Sequence, residues 1–306
     1  MRVAIIGRTE VLYETAKLLH DAGHTITCIL TAKEAPEYRK TAVDFEQLAA
    51  TLQVPFANTS RIESQFMMLL ASKSDVAVSI NYSGVIPKSI TDLFSLGILN
   101  AHGGDLPRYR GNACQAWAIL NGEENIGLCI HRMIGGELDS GDIIFRDNLL
   151  IDYSTKITQV LEWMDNRIPT IFLESLNRLS VDAGYILEVQ SKDTHHALRC
   201  YPRKPEDGRI DWRKSSLQVL RLINASNKPY AGAFCEFDGK RFTVWDAELV
   251  DDSEIFCAVA GQITRIGDCL VEVACGEGKL RILLAEYAGQ IASPDVWIKS
   301  IRKRLS

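Results

Sequence analysis

At 306 residues the chain is longer than one hydrophobic core usually serves, so two domains are expected. Its 46% hydrophobic and 24% charged residues are those of a soluble globular protein, and a net charge of -5 argues against a broad nucleic-acid footprint. None of the eight cysteines stands in CxxC or zinc spacing, and no apolar run approaches the roughly 18 residues of a membrane span; reduced, mostly buried thiols in a cytoplasmic protein are expected.

The first half alternates strand and helix patterns. MRVAIIGRT reads as a strand over 3–6 and a turn, not as a signal peptide. A helix over 11–22 ends at Gly23, and a strand over 25–30 follows. Next come a helix over 45–52, a short strand at Val54 and Phe56, a helix over 62–72, a buried strand over 75–80 and a helix over 86–93. Residues 97–100 then lead into a polar loop. This βαβ alternation predicts a parallel, twisted sheet covered on both faces, with ligands gathering beyond the carboxyl ends of its strands. The first turn, Gly7-Arg8-Thr9, carries one glycine where the dinucleotide fingerprint needs three, so a nicotinamide-binding role is set aside.

Residues 99–111, LNAHGGDLPRYRG, place Asn100 and His102 at spacing i, i+2. On a strand, alternate side chains share one face, so an amide and an imidazole stand together where the strand meets Gly103-Gly104. Asp139 returns in a second loop, ELDSGD. Amide, imidazole and carboxylate can stabilise an oxyanion, relay a proton and orient water. No serine or cysteine nucleophile sits beside them, which points to direct transfer. A histidine at a strand end also reads as a structural hydrogen-bonding residue, and residue chemistry leaves both readings open.

Beyond Asp142 a strand over 143–151 and a long helix over 157–179 are expected. The stretch 201–211, YPRKPEDGRID, has the two prolines, glycine and six charges of a linker. A short helix over 217–224 follows, then strands over 232–237 and 240–247 around an Asp238-Gly239 turn. Strands over 261–266, 270–274 and 280–286 complete a small barrel of five or six strands.

The Asn-x-His pair, the following Leu-Pro-x-Tyr-Arg-Gly and the Leu-Asp-x-Gly-Asp loop resemble the folate-dependent formyltransferases. KPEDGRIDW at 204–212 and PYAGAF at 229–234 are similar to the start of that family's C-terminal domain, so the resemblance spans nearly the whole chain. It implies an α/β fold: a Rossmann-like catalytic domain over 1–200 and an OB-like β-barrel over 201–306. It further implies Asn100, His102 and Asp139 as catalytic residues and 10-formyltetrahydrofolate as donor, without a metal. The folate pocket would use Tyr82, Val85, Ile86 and Pro87 from SINYSGVIP, with Leu138 and Asp142; a plain turn or cap is the other reading of Asp142.

Two subfamilies share this layout. One formylates methionyl-tRNA and carries a long basic insertion; here residues 31–41, TAKEAPEYRKT, are short, with three basic and two acidic residues. The other formylates a nucleotide-linked amino sugar, which HGGDLPRYRGNACQAW and NASNKPYAGAF resemble more closely. A 4-amino-4,6-dideoxy sugar destined for surface polysaccharide (lipopolysaccharide O-antigen) is the expected acceptor, with no nucleic-acid or membrane partner. Arg8, Lys33, Arg108 and Arg110 are candidates for the pyrophosphate. Tyr82, Tyr109 and Trp117 are candidates to stack on a ring, with core packing favoured for Trp117. Asp105 would meet the amine or a sugar hydroxyl, or cap the turn. The barrel is left as structural, homodimer-forming or ligand-holding. Rival readings are a methionyl-tRNA formyltransferase, a binding protein without turnover, and a hydrolase that gives the formyl group to water.

Overall fold

The computed structural model describes residues 1–36, 38–251 and 254–306. The chain divides into two compact units: residues 1–111, 127–149 and 162–200, and residues 112–126, 150–161 and 201–306.

In the first unit, β1 (Arg2–Gly7) buries five consecutive residues, the pattern of a strand covered on both faces. Thr9 caps α1 (Glu10–Asp21) by accepting from the Leu12 N–H at 3.4 Å. After β2 (Thr25–Thr31), α2 (Ala42–Leu52) begins three residues before the expected start. The reason is a capping interaction: the Thr41 N–H and hydroxyl both donate to the Asp44 carboxylate, at 2.8 and 2.9 Å. Then come β3 (Phe56–Asn58), a 3-10 turn (Ile62–Gln65) and α3 (Phe66–Ser72). The expected single helix over 62–72 is split because the Ser64 N–H and hydroxyl both bond back to the Arg61 carbonyl. Beyond β4 (Val76–Ile80), helix α4 shrinks to Lys88–Thr91: Pro87, extended at ψ 164°, cannot lie within it, and the Ile86 carbonyl is taken by the Gly136 N–H.

Strand β5 (Ile98–His102) reaches His102, and a two-residue β6 (Arg110–Gly111) precedes α5 (Cys114–Asn121). The sequence reading missed β7 (Asn125–Arg132), the apolar run NIGLCIHR. It is followed by β8 (Ile143–Leu150), α6 (Ile157–Val181) and a short β9 (Arg199–Cys200) that pairs with β6. The large sheet has the order β3-β2-β1-β4-β5-β7-β8. Its first five strands are parallel, as expected, but β7 runs antiparallel to β5, so the sheet is mixed. The register sets Asn100 opposite His131 and His102 opposite Cys129.

In the second unit, Ser215 and Gln218 form a capping box on α7 (Ser216–Ala225). The strands are β10 (Ala233–Phe237), β11 (Lys240–Leu249), β12 (Ile263–Gly267), β13 (Leu270–Ala274), β14 (Lys279–Tyr287) and a further β15 (Gln290–Ala292). Their antiparallel sheet runs β10-β11-β14-β13-β12, with β15 on β14. Asp238 and Gly239 turn the β10–β11 hairpin, both at positive φ as expected. The last residues join the two sheet edges. The Glu236 and Ser306 backbones exchange two hydrogen bonds, at 2.7 and 3.0 Å, while the Leu305 N–H donates to the Gly261 carbonyl at 2.8 Å. Leu305 is 1% exposed within a core that includes Trp212, Phe242, Val273 and Ile282. Six of the eight cysteines are buried, and burial pushes the Cys235 and Cys275 thiols up to about 12.

Leu305→Ala is therefore expected to destabilise the protein by about 2–4 kcal/mol, read as a lower urea midpoint. An unchanged midpoint would remove the C-terminal residues from the account of this sheet.

Candidate active site

Strands β1, β2, β4 and β5 are parallel, so Arg8, Lys33, Asn81 and His102 all stand at or just beyond the same, carboxyl edge of the sheet. Asn100, His102 and Asp139 are brought together there, with a fourth residue, His131, between them. Asn100 Nδ2 lies 3.2 Å from His131 Nε2, which lies 3.4 Å from Asp139 Oδ1; Asp139 Oδ2 lies 3.5 Å from His102 Nδ1. Oδ2 also accepts from the Gly111 N–H at 2.9 Å.

His102 has its proton placed by a neighbour, whereas His131 has two tautomers open to it. His102 Nε2 lies 2.7 Å from the Tyr109 carbonyl, an acceptor only, so Nε2 carries a proton and Nδ1 faces the carboxylate. With its proton on Nδ1, 3.4 Å from the Arg132 carbonyl, His131 accepts from the Asn100 amide at Nε2. With Nε2 protonated instead, the same atom donates to Asp139 Oδ1 at 3.4 Å. Two glycines permit this crowding. A Cβ on Gly104 would stand 2.6 Å from His102 Nε2 and 2.4 Å from the Tyr109 oxygen. Gly111, at φ 105°, would put one 2.4 Å from the Cys200 oxygen.

Burial lowers the His102 pKa below 6.5, against the opposing pull of Asp139 and the Tyr109 carbonyl; His131 and Arg110 lower it further. For Asp139, burial acts upward, but His102, His131 and the Gly111 N–H outweigh it and hold the carboxyl below 3.8. The site thus keeps an anion beside a ring whose charging is disfavoured.

Several candidates have other partners. Asp105 is bound by Arg146, whose Nη1 donates to it at 2.7 Å while Nη2 donates to the Leu106 carbonyl and Glu188; Arg108 is 3.8 Å away. This pins the loop. Tyr109 is 2% exposed, so the expected stacking platform is inside the protein, and its carbonyl faces His102. Arg110 donates to Gln190 Oε1 at 2.9 Å rather than pointing outward. Arg8 donates to the Asn81 and Lys33 carbonyls, both at 2.8 Å, and lies over the Tyr38 ring, while the Lys33 side chain is exposed. The Tyr82 hydroxyl donates to the Thr59 carbonyl, and burial, with Glu63 nearby, raises its pKa to about 12. In the second unit, the Trp117 indole donates to the Tyr201 carbonyl.

The two loops assigned to the folate are stitched by the Gly136 N–H to Ile86 carbonyl bond at 3.1 Å. Ile86 is buried and Pro87 half-buried, whereas Val85 and Leu138 are 76% and 40% exposed. The Asp142 carbonyl accepts from the Arg132 N–H, and its side chain is half-buried. Among the described residues no cluster of three or more His, Cys, Asp or Glu side chains is arranged to hold a metal ion, and no helix is long and apolar enough to cross a membrane. Sequence reasoning missed His131 and Gln190. A lone histidine in an apolar run reads as core, and only the β5–β7 register sets it opposite Asn100.

Residues 1–175 match the family model Formyl transferase, and residues 203–302 match Formyl transferase, C-terminal domain. Methionyl-tRNA formyltransferase of Lachnospira eligens is 28% identical over 95% of this chain and 93% of its own length. That of Coxiella burnetii is 27% identical over 95% and 92%. Among solved structures, the N-formyltransferase from Helicobacter canadensis in complex with folinic acid and dTDP-3-aminofucose superposes with a TM-score of 0.66 at 13% identity, covering 92% of this chain and 98% of that one. WlaRD, a sugar 3N-formyl transferase in the presence of dTDP and 5-N-formyl-THF, gives 0.65 at 14%, covering 92% and 97%. HypX from Aquifex aeolicus in complex with tetrahydrofolic acid gives 0.61 at 16%; the match covers 98% of this chain but 47% of HypX.

Folding lowers the His102 pKa, so the unfolded chain binds that proton more readily. The stability His102 contributes is whole above pH 6.5 and is lost as pH falls through the lower folded value. Asp139 acts in the same sense, its contribution present above 3.8 and lost as pH falls through its folded value. An NMR titration is expected to give a His102 midpoint below 6.5; a midpoint above that value contradicts this account.

Proposed function

As the chain belongs to the formyl transferase family, we propose that it moves a formyl group from 10-formyltetrahydrofolate to the amine of a nucleotide-linked amino sugar. The carrying observation is the grouping of Asn100, His102 and Asp139 at the carboxyl edge of the sheet of a formyl-transferring enzyme. A folate donor is supported by the exposed apolar Val85 and Leu138 on the two stitched loops, and by the folate compounds named with the HypX, WlaRD and Helicobacter canadensis structures.

When bound, that donor supplies a formyl carbon on a nitrogen that can leave. Asn100 turns its amide N–H from His131 to the formyl oxygen as charge gathers there. His131 Nε2, released, is left facing Asp139 Oδ1. His102 keeps Nε2–H on the Tyr109 carbonyl and accepts the proton lost by the attacking amine at Nδ1, directly or through water. Asp139 stabilises the imidazolium until that proton passes to the departing nitrogen. The remaining rate gain comes from holding two substrates in one geometry.

An amino-sugar acceptor is supported by the short loop after β2. Arg39 donates to Glu10 at 3.2 Å and lies 3.6 Å from Asp165; Lys40 is 2.9 Å from Asp44. Two of its three cations are thus paired with carboxylates, a poor grip for a phosphate backbone. The dTDP compounds named with WlaRD and the Helicobacter canadensis protein agree. The second reading, methionyl-tRNA as acceptor, is favoured by the 28% identity to enzymes of that name. We assign the product to surface-polysaccharide synthesis in the cytoplasm and expect a 4-amino-4,6-dideoxy sugar. 3-Amino sugars belong in the same screen.

Incubation with the folate donor and a panel of amino-sugar nucleotides, followed by mass spectrometry, should show one acceptor gaining a single formyl group. Formylation of methionyl-tRNA alone would replace the sugar by tRNA, and formate release without an acceptor would make the protein a hydrolase. Asn100→Ala is expected to reduce kcat on the order of 100- to 1000-fold. His102→Ala and Asp139→Ala should nearly abolish transfer in folded protein; full activity of His102→Ala refutes the mechanism.

A further inference from the structure

Gln190 follows the segment that pairs with β8 through an Ile143–Glu188 bridge, and it is 3% exposed. Both ends of its amide are used. Nε2 donates to the Asp139 carbonyl at 3.0 Å and to the Gly141 carbonyl at 2.5 Å, while Oε1 accepts from Arg110 Nη2 at 2.9 Å. One buried side chain therefore ties the acidic loop to the arginine of the LPRYRG loop. Asp139 itself has φ 46°, the left-handed region that a side chain disfavours and that persists only where surrounding contacts hold it. From that backbone its carboxylate reaches Gly111, His102 and His131.

We propose that Gln190 is a positioning residue: its amide holds the Asp139 backbone in the left-handed conformation that sets the carboxylate between the two imidazoles. It does not touch substrate; it acts through Asp139. The kinetic half of the test rests on the formyl-transfer reading, whereas the titration half does not.

The groups facing His102 are Asp139, His131, Arg110 and the Tyr109 carbonyl, with Cys129 opposite in the sheet. Gln190→Met keeps the length of the side chain and removes both donors. Gln190→Glu keeps an acceptor for Arg110 and removes the same donors. In ligand-free protein of unchanged circular dichroism, Gln190→Met is expected to move the His102 NMR midpoint to lower pH, because the carboxylate that favours its charge has drifted; Gln190→Glu adds a charge of its own and is read through kcat. With the acceptor found for the wild type, kcat should fall on the order of 10- to 100-fold, with KM within about 2-fold. Wild-type titration and kcat in folded Gln190→Met overturn the proposal. So does a Gln190→Glu variant that behaves as wild type, since the Arg110 contact would then be what matters. Should Gln190→Met fail to fold, the kcat of Gln190→Glu carries the test. Absence of formyl transfer by the wild type defeats the functional reading and leaves the titration to judge Gln190.

Discussion

Burying an ionised carboxylate is costly unless donors meet its oxygens. The Asp139 side chain is 12% exposed, and the arrangement around it follows from meeting that condition. Gly111 presents its N–H, which requires a positive φ and a backbone close to Cys200. Strand β7 runs antiparallel to β5, which carries His131 to the same face as Asn100 and His102. Gln190 takes the Asp139 carbonyl, so the loop's own polar groups are satisfied as well. Burial disfavours the charged form of the His102 ring beside this anion, which leaves the ring able to accept a proton.

The same contacts divide the site into a fixed part and an open part. Arg146 ties Asp105, Leu106 and Glu188 into one cluster, and Leu106 packs with Cys129 and Ile143 beneath the Gly103-Gly104 turn. Gln190 and Arg110 tie the loops on the other side. A reaction that moves a small acyl group between two bound molecules gains most from such pre-set donors. By contrast, Val85, Leu138 and Lys33 leave their side chains outward.

Much of the first unit was legible because local patterns carry it. Buried apolar runs marked β1, β2 and β4, and i, i+2 spacing put Asn100 and His102 on one face. Asp238-Gly239 marked its hairpin through the positive φ that both residues adopt. The misreadings arose where a bond between segments overrode a local pattern. Periodicity extended α4 back to Ile86, but Pro87 stops it and the Ile86 carbonyl is engaged by Gly136. By sequence Tyr109 is a candidate to stack on a ring and Arg110 a candidate for the pyrophosphate, yet one is packed inside and the other is turned to a glutamine eighty positions away.

By itself the sequence determined the alternation of strands and helices, the amide–imidazole pair at a strand end and the motifs that mark the family, because each depends on residues within a few positions of one another. Tertiary structure alone decided the direction of β7, the place of His131 opposite Asn100, the Arg146 clamp on Asp105 and the Gln190 hold on Asp139. Each of these joins residues about thirty to fifty positions apart. Composition and spacing carry no record of such pairings; strand register and the need to satisfy buried polar groups select them only once the chain has closed on itself.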